Sequence, residues 1–558
     1  MVKYKKTLMA LTLLSIGQAG SAGNQEDVIR IIVKYKQGAM QTATKEMASK
    51  FFNLPINSMQ PIAGGAYTLT IKQDAITTFK TDKAEAIDNF IQSIRKNPAV
   101  LYAVKDRIGY FKPLATVTTE TQASLSHELQ WDEFKAPGGI MLESAAGLRD
   151  GAWSQTTGSA TPPIVVAVLD TGIALNPHLS NSLIKDKKGK VWGWNFAGNN
   201  QNLADETKSY HGTHVAGTIA ASGNVIQGVG EHLKILPVKI PNESGMFYES
   251  QVINAIYWAV GGDVPGAPVN PYPAKVLNMS FGVDERPGKE IDHCDEALQE
   301  ALTFARSKGA VLTVAAGNDN QWEHYNAPAV CNSAIKVASV GPEGLRAYYS
   351  NYGPGISFAA PGGDVRYGKT SGGILSTVNP GGGYQGSGFD FYQGTSMAAP
   401  HAAGVAGLLY AVNNNISPEQ VETILYTTTH NFGQSSDANK SCIGAKPCGH
   451  GILDAFNAVK AAQAHYDIMF TAPSNGKNIS LKACQGGYQF ASITLENDLT
   501  RWQLTKSACQ VKEIYQQVSL EKKNDVIIAH YGTAELTLDT SKFKQCDIIG
   551  ATGIGCYL

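Results

Sequence analysis

The sequence predicts an α/β fold with a mainly parallel sheet between residues 127 and 465. In this region short runs rich in Val, Ile and Ala alternate with segments of helical spacing. Unbroken apolar strands separated by helices indicate a parallel sheet that is covered on both faces. Hydrophobic residues make up 43% of the 558-residue chain and charged residues 17%. This balance supports large cores and excludes disorder as the main feature of the chain.

Periodicity and apolar runs locate the individual elements of this region. The predicted strands are 164–169, 235–240, 275–279, 310–315 and 335–340, and the predicted helices are 214–221, 250–260, 294–308 and 398–412. A chain of 558 residues is expected to hold three to four domains of about 150 residues each. Further domains are therefore expected on either side of the α/β region.

The N-terminal end has the order of a secretory signal peptide, which we assign to residues 1–22. Lys3, Lys5 and Lys6 precede an apolar stretch at 8–16 and the small residues of 20–22. A membrane anchor is disfavoured because a span needs about 20 apolar residues, and no later segment reaches that length. We therefore predict an exported protein without a membrane anchor.

Two other regions flank the α/β region. Residues 28–105 read as two strand–helix–strand units, with strands at 28–35, 66–71 and 100–105 and helices at 44–52 and 84–95, and this order predicts a small ferredoxin-like domain. Residues 109–126 read as an exposed linker that a protease can reach. Residues 466–558 hold short β-prone segments such as 477–482, 526–531 and 534–538 and predict a small β-rich domain.

Charge and cysteine content narrow the classes of function. The 46 Lys and Arg residues nearly balance the 47 Asp and Glu residues, so the net charge does not favour binding to nucleic acid or anionic membranes.

The eight cysteines are Cys294, Cys331, Cys442, Cys448, Cys484, Cys509, Cys546 and Cys556. An even number in an exported chain favours disulfides, but eight cysteines allow 105 pairings. Four lie before residue 450 and four after 480, which suggests two sets, each within its own domain.

Three strings place reactive residues at the ends of regular elements: VVAVLDTG at 165–172, HGTHVAG at 211–217 and GTSMAAP at 394–400. Asp170 closes an apolar strand, at the sheet edge where open α/β folds keep their ligand crevice. His211 opens a helix with small residues. Ser396 lies at the start of the most apolar helix, where backbone N–H groups and the helix dipole favour negative charge.

These residue types meet the needs of nucleophilic acyl transfer. A serine hydroxyl needs a base with a pKa near neutrality, and a buried carboxylate can orient a histidine that serves as this base. The tetrahedral intermediate carries an oxyanion that needs fixed donors. Asn318 follows a predicted strand and can offer its amide beside the backbone N–H of Ser396. The alternative without catalysis is that Asp170 simply ends a core strand, His211 is a histidine with all its hydrogen bonds made, and Ser396 caps a helix.

The three strings and the Asn318 segment, in the order Asp, His, Asn, Ser, resemble the subtilases, the subtilisin-like serine proteases. The resemblance covers residues 127–465 and implies a subtilisin-like three-layer domain. It implies a serine endopeptidase in which Asp170 orients His211, His211 acts as general base and then acid, Ser396 is the nucleophile, and Asn318 with the Ser396 N–H binds the oxyanion. His214 is expected only to pack.

The resemblance also suggests substrate contacts. Ser280, Phe281 and Gly282 resemble the extended segment that pairs with the substrate backbone. Ala315, Ala316 and Gly317 resemble the opposite wall of the first specificity pocket, where small side chains leave room for a bulky apolar residue. Glu323 and His324 lie near the expected pocket floor and put a simple apolar preference in question, although Glu323 reads more readily as solvated.

Other expectations follow from the family. Residues 23–115 resemble a propeptide that acts as folding chaperone and intramolecular inhibitor before self-cleavage; a permanent accessory domain is the alternative. Cys294 with Cys331 resembles a family disulfide, and Cys442 and Cys448 are close enough to pair. The chemistry needs no cofactor. Structural calcium is possible, but Asp205, Glu206 and Asp364 read equally well as solvated loop acids. The expected partners are protein or peptide substrates, and the enzyme is expected to be a secreted, extracellular monomer.

Two rival classes remain for comparison. One is a catalytically silent binding protein in which residues 466–558 provide adhesion; the intact reactive residues argue against it. The other is the related sedolisin mechanism with a glutamate base, which the HGTH string disfavours because sedolisins lack that histidine.

Overall fold

The computed structural model describes residues 28–39, 44–72, 83–111, 125–135, 137–207, 209–284, 293–322, 327–367, 369–379, 388–472, 479–484, 487–493, 502–506, 519–531 and 534–558. The predicted signal peptide, most of the predicted linker, Glu323, His324 and Cys509 lie outside these residues. The chain divides into two compact units, Met1–Gln60 with Thr68–Ala103, and Pro61–Tyr67 with Val104–Leu558.

The first four strands and two helices have the ferredoxin-like order. They are β1 (Val28–Tyr35), α1 (Lys45–Phe52), β2 (Ile56–Pro61), β3 (Ala66–Lys72), α2 (Lys83–Arg95) and β4 (Val100–Lys105). The strands lie in the order β2-β3-β1-β4, and a βαββαβ chain in this order is ferredoxin-like. Strand β2 was not predicted because its residues, INSMQP, have little β propensity.

The later elements, in chain order, are β5 (Ile108–Tyr110), β6 (Val165–Asp170), β7 (Trp194–Asn195), α3 (His211–Ala220), β8 (Lys234–Lys239), β9 (Met246–Tyr248), α4 (Glu249–Ala259), β10 (Val276–Met279), β11 (Val283–Asp284), α5 (Glu296–Ser307), β12 (Val311–Ala315), β13 (Ile335–Val340), β14 (Phe358–Pro361), β15 (Ile374–Val378), β16 (Gly388–Tyr392), α6 (Thr395–Val412), α7 (Pro418–Thr427) and α8 (Ala455–Ala464). They are followed by β17 (Ile468–Thr471), β18 (Ile479–Cys484), β19 (Gly487–Ile493), β20 (Trp502–Lys506), β21 (Ser519–Lys523), β22 (Val526–Tyr531), β23 (Ala534–Asp539), β24 (Gln545–Ile549) and β25 (Gly553–Tyr557).

A seven-stranded sheet in the order β14-β13-β12-β10-β6-β8-β7 forms the centre of the second unit. Every neighbouring pair in it is parallel, which confirms the predicted sheet. Val166 and Val168 of β6 join one core with α3 and α6, and the alternating residues Ala167 and Leu169 are also buried. Because side chains alternate across a strand, both faces of the sheet are covered.

Helix α6 is the buried helix of this core, and its small residues explain how it packs. All of its residues except Ser396, Ala411 and Val412 are buried. Gly404 and Gly407 lie close to Val229 and Leu233, where a Cβ would be 2.5 and 2.7 Å from side-chain carbons. A helix with such a surface is apolar on all sides and belongs inside a core, where it holds its first turn in a fixed place.

The predicted linker begins too early. Gly109 is buried within β5, which is the middle strand of an antiparallel sheet in the order β11-β5-β9. A Cβ at Gly109 would lie 2.2 Å from the Phe247 ring, so glycine allows Phe247 to cover the strand. The prediction failed because a three-residue strand has no periodicity that a sequence can show.

The C-terminal part is β-rich, as predicted. Its strands form sheets in the orders β17-β25-β24, β18-β19 and β20-β23-β22-β21. Cys546 and Cys556 face each other across β24 and β25 and form a disulfide. Among the described residues, no helix combines the length and apolarity that crossing a bilayer requires.

Candidate active site

Asp170 is the last residue of β6, and 1% of its surface is exposed. β6 pairs in parallel with β10 on one side and β8 on the other, so the carboxylate lies at the carboxyl edge of the sheet, where α/β folds bind ligands. The backbone N–H of Thr171 donates to Asp170 Oδ1 at 2.7 Å. The sheet edge thus holds a buried, oriented carboxylate.

His211 is the first residue of α3 and is paired with this carboxylate. Its Nδ1 lies 2.8 Å from Asp170 Oδ1, and Nδ1 is the donor because an ionised carboxylate only accepts. Helix α3 can come this close only with glycine at position 212, where a Cβ would lie 2.3 Å from the Gly172 carbonyl oxygen. The remaining ring nitrogen, Nε2, is therefore the acceptor when the imidazole is neutral.

A second acid, Asp205, is linked to the Asp170–His211 pair through Thr171. Thr171 Oγ1 donates to Asp205 Oδ2 at 2.5 Å and accepts the backbone N–H of Gly212 at 3.0 Å. Thr171 therefore joins the end of β6 to the start of α3. Asp205 is buried, with 2% of its surface exposed, which corrects its prediction as a solvated loop acid. The sequence shows only a polar loop there and gives no sign of this contact.

The charges around His211 set the direction of its pKa shift. Burial alone lowers the pKa of His211, but the charge of Asp170, its hydrogen bond and the charge of Asp205 outweigh burial and raise the pKa above its ordinary value. His214, one turn further along α3, has the opposite behaviour: burial lowers its pKa to about 3. Its ring stacks on Tyr392 with centroids 4.2 Å apart, as a packing residue would.

Ser396 is the second residue of α6, and its hydroxyl donates to the carbonyl oxygen of Ser280 at 3.0 Å. In return, Ser280 Oγ donates to the carbonyl oxygen of Ser396 at 2.8 Å. In the described residues Ser396 Oγ makes this hydrogen bond and makes none to His211. Catalytic hydrogen bonds are often long or misaligned until substrate binds, and rotation about one side-chain bond redirects the hydroxyl.

Asn318 lies in the loop after β12, beside the start of α6. Its Oδ1 accepts the backbone N–H of Thr395 at 2.9 Å and the Thr395 hydroxyl at 2.8 Å. These two bonds orient the amide, and Nδ2 is then the donor left over. Asn351, which no sequence motif marks, is fully buried and braces the loop. Its Oδ1 accepts the N–H of Asp319 at 3.0 Å and its Nδ2 donates to the Ala316 carbonyl oxygen at 3.0 Å.

The expected substrate segment, Ser280–Gly282, connects β10 with β11. Phe281 is buried against Phe247, with ring centroids 5.2 Å apart, and against Phe111 at 5.7 Å. The Phe111 ring also lies 5.5 Å from the His211 ring. The chain's own segment before residue 112 therefore runs along β11 and β9 to the histidine.

Ala315, Ala316 and Gly317 lie opposite, at the end of β12. Ala315 and Ala316 are buried in two different hydrophobic clusters, as expected where alternate side chains point to opposite faces. Gly317 has a φ of +105° and donates its N–H to Thr395 Oγ1 at 3.1 Å. A part in a specificity pocket stays a prediction for these residues.

The disulfides include both expected pairs. Cys294 bonds to Cys331 and Cys442 to Cys448. The first joins the chain just before α5 to the chain just before β13, on either side of the strand that leads to Asn318. Its position is consistent with bracing that part of the sheet.

The acids considered for calcium do not fit such a site. Asp205 accepts from Thr171 and Thr207, and Asp364 accepts from Arg366 at 2.6 Å. Glu206 is held by Lys239 at 2.6 Å. Their oxygens are already engaged by donors. In the described part of the chain no three His, Cys, Asp or Glu side chains converge as metal ligands.

The fold and the site together define a class, the serine-type hydrolases with an oriented His–Asp pair. The family model described as "Subtilase family" matches residues 162–451. The chain belongs to the subtilase family. It is a serine-type endopeptidase that acts on protein or peptide substrates.

Two similar proteins are named as extracellular proteases. The chain is 32% identical over 471 residues to "Extracellular protease" from Xanthomonas campestris pv. campestris, covering 78% of this chain and 73% of that one. It is 30% identical over 485 residues to "Extracellular basic protease" from Dichelobacter nodosus, with 78% and 71% covered. A solved protease from Pseudoalteromonas arctica is 36% identical, with a TM-score of 0.52, and matches 60% of this chain and 98% of its own. Fervidolysin from Fervidobacterium pennivorans, 21% identical with a TM-score of 0.53 over 93% of this chain and 70% of its own, shares the fold.

Proposed function

We propose that the protein is a secreted endopeptidase that works through an Asp170–His211–Ser396 triad and an acyl-enzyme, and that it is made as an autoprocessed zymogen. One observation carries the catalytic part of this proposal, the hydrogen bond from His211 Nδ1 to Asp170 Oδ1 at 2.8 Å. It fixes the tautomer in which His211 Nε2 can accept a proton from a serine.

The proton transfers follow from that tautomer. His211 Nε2 takes the proton of the Ser396 hydroxyl while Oγ attacks the peptide carbonyl carbon, and Asp170 stabilises the imidazolium that results. When the C–N bond breaks, His211 returns this proton to the leaving amine. Water then attacks the acyl-enzyme, with the same histidine as base. The histidine afterwards protonates Ser396 Oγ and releases the acid product.

Asn318 and the Ser396 backbone N–H are the donors proposed for the oxyanion. Because Thr395 holds Asn318 Oδ1, Nδ2 is oriented before the substrate arrives and needs no reorganisation in the transition state. The N–H of Ser396 is in the first turn of α6, where backbone N–H groups lack an acceptor within the helix. The chemistry calls on side chains and backbone groups alone and needs no cofactor.

The zymogen part of the proposal is supported by β5. A strand paired on both sides, with β9 and β11, is bound as a peptide substrate is bound by strand addition. Because this strand leads to Phe111 beside His211, the segment blocks the cleft as an intramolecular inhibitor. Self-cleavage after this segment would give the active enzyme, and we expect that enzyme to be a monomer.

Secretion is supported by the signal-peptide order of residues 1–22 and by the names of the relatives from Xanthomonas campestris and Dichelobacter nodosus. The disulfides suit an oxidising compartment.

Labelling with an organophosphorus serine reagent tests the proposal. The active enzyme is labelled, digested and mass-mapped, and its N-terminus is sequenced. We expect one label, on Ser396, and a new N-terminus after residue 111. Loss of activity on labelling of another serine, or full activity after stoichiometric labelling of Ser396, would reject the triad.

A further inference from the structure

Arg107, the residue before β5, is bound by two buried acids of the second unit. Its Nε donates to Glu249 Oε2 at 2.6 Å and its Nη2 to Glu249 Oε1 at 2.7 Å. The same Nη2 also donates to Asp295 Oδ2. The exposed side-chain fractions are 8% for Arg107, 0% for Glu249 and 7% for Asp295, so all three charges are removed from water.

The backbone places Arg107 in the same cleft as the rest of the segment. The N–H of Glu249 donates to the Arg107 carbonyl oxygen at 2.9 Å, and the next residue, Ile108, pairs with Tyr248 in the ladder of β5 with β9. Arg107 therefore continues the strand pairing that ends beside His211. Because strand pairing holds the backbone in the way expected for a substrate, the Arg107 side chain reaches Glu249 and Asp295.

The two acids are fixed by the starts of two helices. Glu249 is the first residue of α4, and Asp295 caps α5 by accepting the N–H of Leu298 at 2.9 Å. Acids at helix starts are favoured by the helix dipole. Because each acid belongs to a helix of the α/β region, it remains part of the enzyme when the segment that carries Arg107 leaves.

Departure of Arg107 removes the cation that faces the two acids. Burial raises the pKa of Glu249 strongly, and the charge of Arg107 is the main influence that opposes it. Removing one partner of a buried ion pair is costly because an uncompensated charge remains. A peptide that brings another cation to this position regains the lost interaction.

We propose that Glu249 and Asp295 form an acidic subsite of the mature enzyme, which binds an arginine of the substrate on the N-terminal side of the cleaved bond. The position is four residues before the one that contacts His211, as Arg107 is before Phe111. Arginine fits better than lysine because its planar fork can donate to both oxygens of Glu249 and also to Asp295. This inference rests on the proposed function, because it takes the β5 segment as a guide to substrate binding.

Product-like peptides test the subsite without altering the enzyme. The full chain is expressed and allowed to mature, its active sites are titrated with the organophosphorus reagent, and inhibition by an acetylated peptide of sequence VKDRIGYF, residues 104–111, is measured. Peptides with Arg107→Gln and Arg107→Lys are compared with it. A hydrogen-bonded charge contact of about 1.5 to 3 kcal/mol corresponds to about 10- to 100-fold. We expect inhibition to weaken by that factor for Gln and by less for Lys.

Enzyme variants show whether the effect belongs to the two acids. In Glu249→Gln, and separately in Asp295→Asn in case the first does not fold, the ratio of the inhibition constants for the Gln and Arg peptides should fall toward one. Glu419→Gln is the matched control, since Glu419 is an exposed acid at the start of another helix, and it should keep the wild-type ratio.

The outcomes separate the two proposals. Equal inhibition by the Arg and Gln peptides, on an enzyme that matures and reacts with the reagent, would overturn the subsite alone. A wild-type ratio in both acid variants would also overturn it. A chain that neither matures nor reacts would refute the proposed function itself.

Discussion

Ser280 and Ser396 each donate a hydroxyl hydrogen bond to the other's backbone carbonyl oxygen, at 2.8 and 3.0 Å. The Ser396 carbonyl is available for this contact because Pro400, four residues later in α6, has no N–H to donate to it. A proline inside a helix normally costs stability, and here it frees an acceptor that ties the segment between β10 and β11 to the first turn of α6.

Ser396→Ala should abolish peptide hydrolysis, because the alanine methyl group cannot attack the peptide carbonyl carbon. In subtilisin, loss of the nucleophile costs about 10⁶-fold in turnover, and we expect the same order. The variant, expressed in a protease-free host, should also accumulate as uncleaved precursor on mass analysis. Normal processing of this variant would show that maturation is carried out by another enzyme.

Asn318→Ala should lower turnover by about 10²- to 10³-fold with little change in KM, as loss of the corresponding oxyanion asparagine does in subtilisin. Asn318→Asp is the informative control, since it keeps an oxygen that can accept from Thr395 and replaces the donor with a second carboxylate oxygen, which adds a negative charge beside the oxyanion. Both variants should be slow in steady-state kinetics. Wild-type turnover in Asn318→Asp would remove this residue from the mechanism.

The raised pKa of His211 predicts the acidic limb of the pH profile. The base must be neutral to accept a proton, so kcat/KM should fall as pH drops through a pKa above the ordinary histidine value of about 6.5. Asp205→Asn removes a charge that raises this pKa and should move the limb toward lower pH. Asp186→Asn, in an exposed turn, should leave it in place.

A limb that stays unchanged in Asp205→Asn would mean that Asp205 does not act on the histidine. A profile that is flat from about pH 5 to 8 in the wild type would contradict a histidine base altogether.

The parts of the fold that the sequence predicts well are those with local signals. Strand β13 was predicted to the residue, 335–340, because a buried parallel strand is a continuous apolar run. Helix α6 begins at Thr395, three residues before the predicted start, because the polar residues Thr395 and Ser396 show no apolar pattern that marks a helix start. Short elements such as β7 and β5 carry too few residues to show a period.

The candidate site residues differ in the same way. Asp170, His211 and Ser396, the residues of the proposed triad, lie in recognisable motifs because each is at the end of an element with a strong pattern. Asp205 and Asn351 were missed because their roles depend on contacts across 34 and 35 residues, to Thr171 and Ala316. Only the fold brings such residues together, and a polar loop residue has no local feature that marks it as buried.

Removal of the Cys294–Cys331 disulfide should destabilise the second unit more than removal of Cys442–Cys448. The two bonds span 37 and 6 residues, and loop-closure entropy gives about 4 and about 2 kcal/mol for loops of these lengths. Paired Cys→Ser variants compared in denaturant unfolding test this. If the shorter loop proved the more important, strain or local packing would outweigh chain entropy.

Ser280→Ala and Pro400→Ala should compensate each other. Ser280→Ala leaves the Ser396 carbonyl oxygen without its donor and misplaces the first turn of α6. A hydrogen bond worth about 0.5 to 1.5 kcal/mol predicts a loss of up to about tenfold in kcat/KM. Pro400→Ala restores an N–H four residues after Ser396, which can occupy the same oxygen as an ordinary helical bond. In the double variant this N–H replaces the missing hydroxyl.

The double variant should therefore lose less activity than the sum of the two single losses, and a double-mutant cycle on kcat/KM measures the difference. Ala402→Ser, a buried substitution later in α6, tests whether any disturbance of the helix gives the same coupling. Strict additivity of Ser280→Ala and Pro400→Ala would show that the proline and the serine hydroxyl act independently, and that the carbonyl of Ser396 does not couple the segment between β10 and β11 to the first turn of α6.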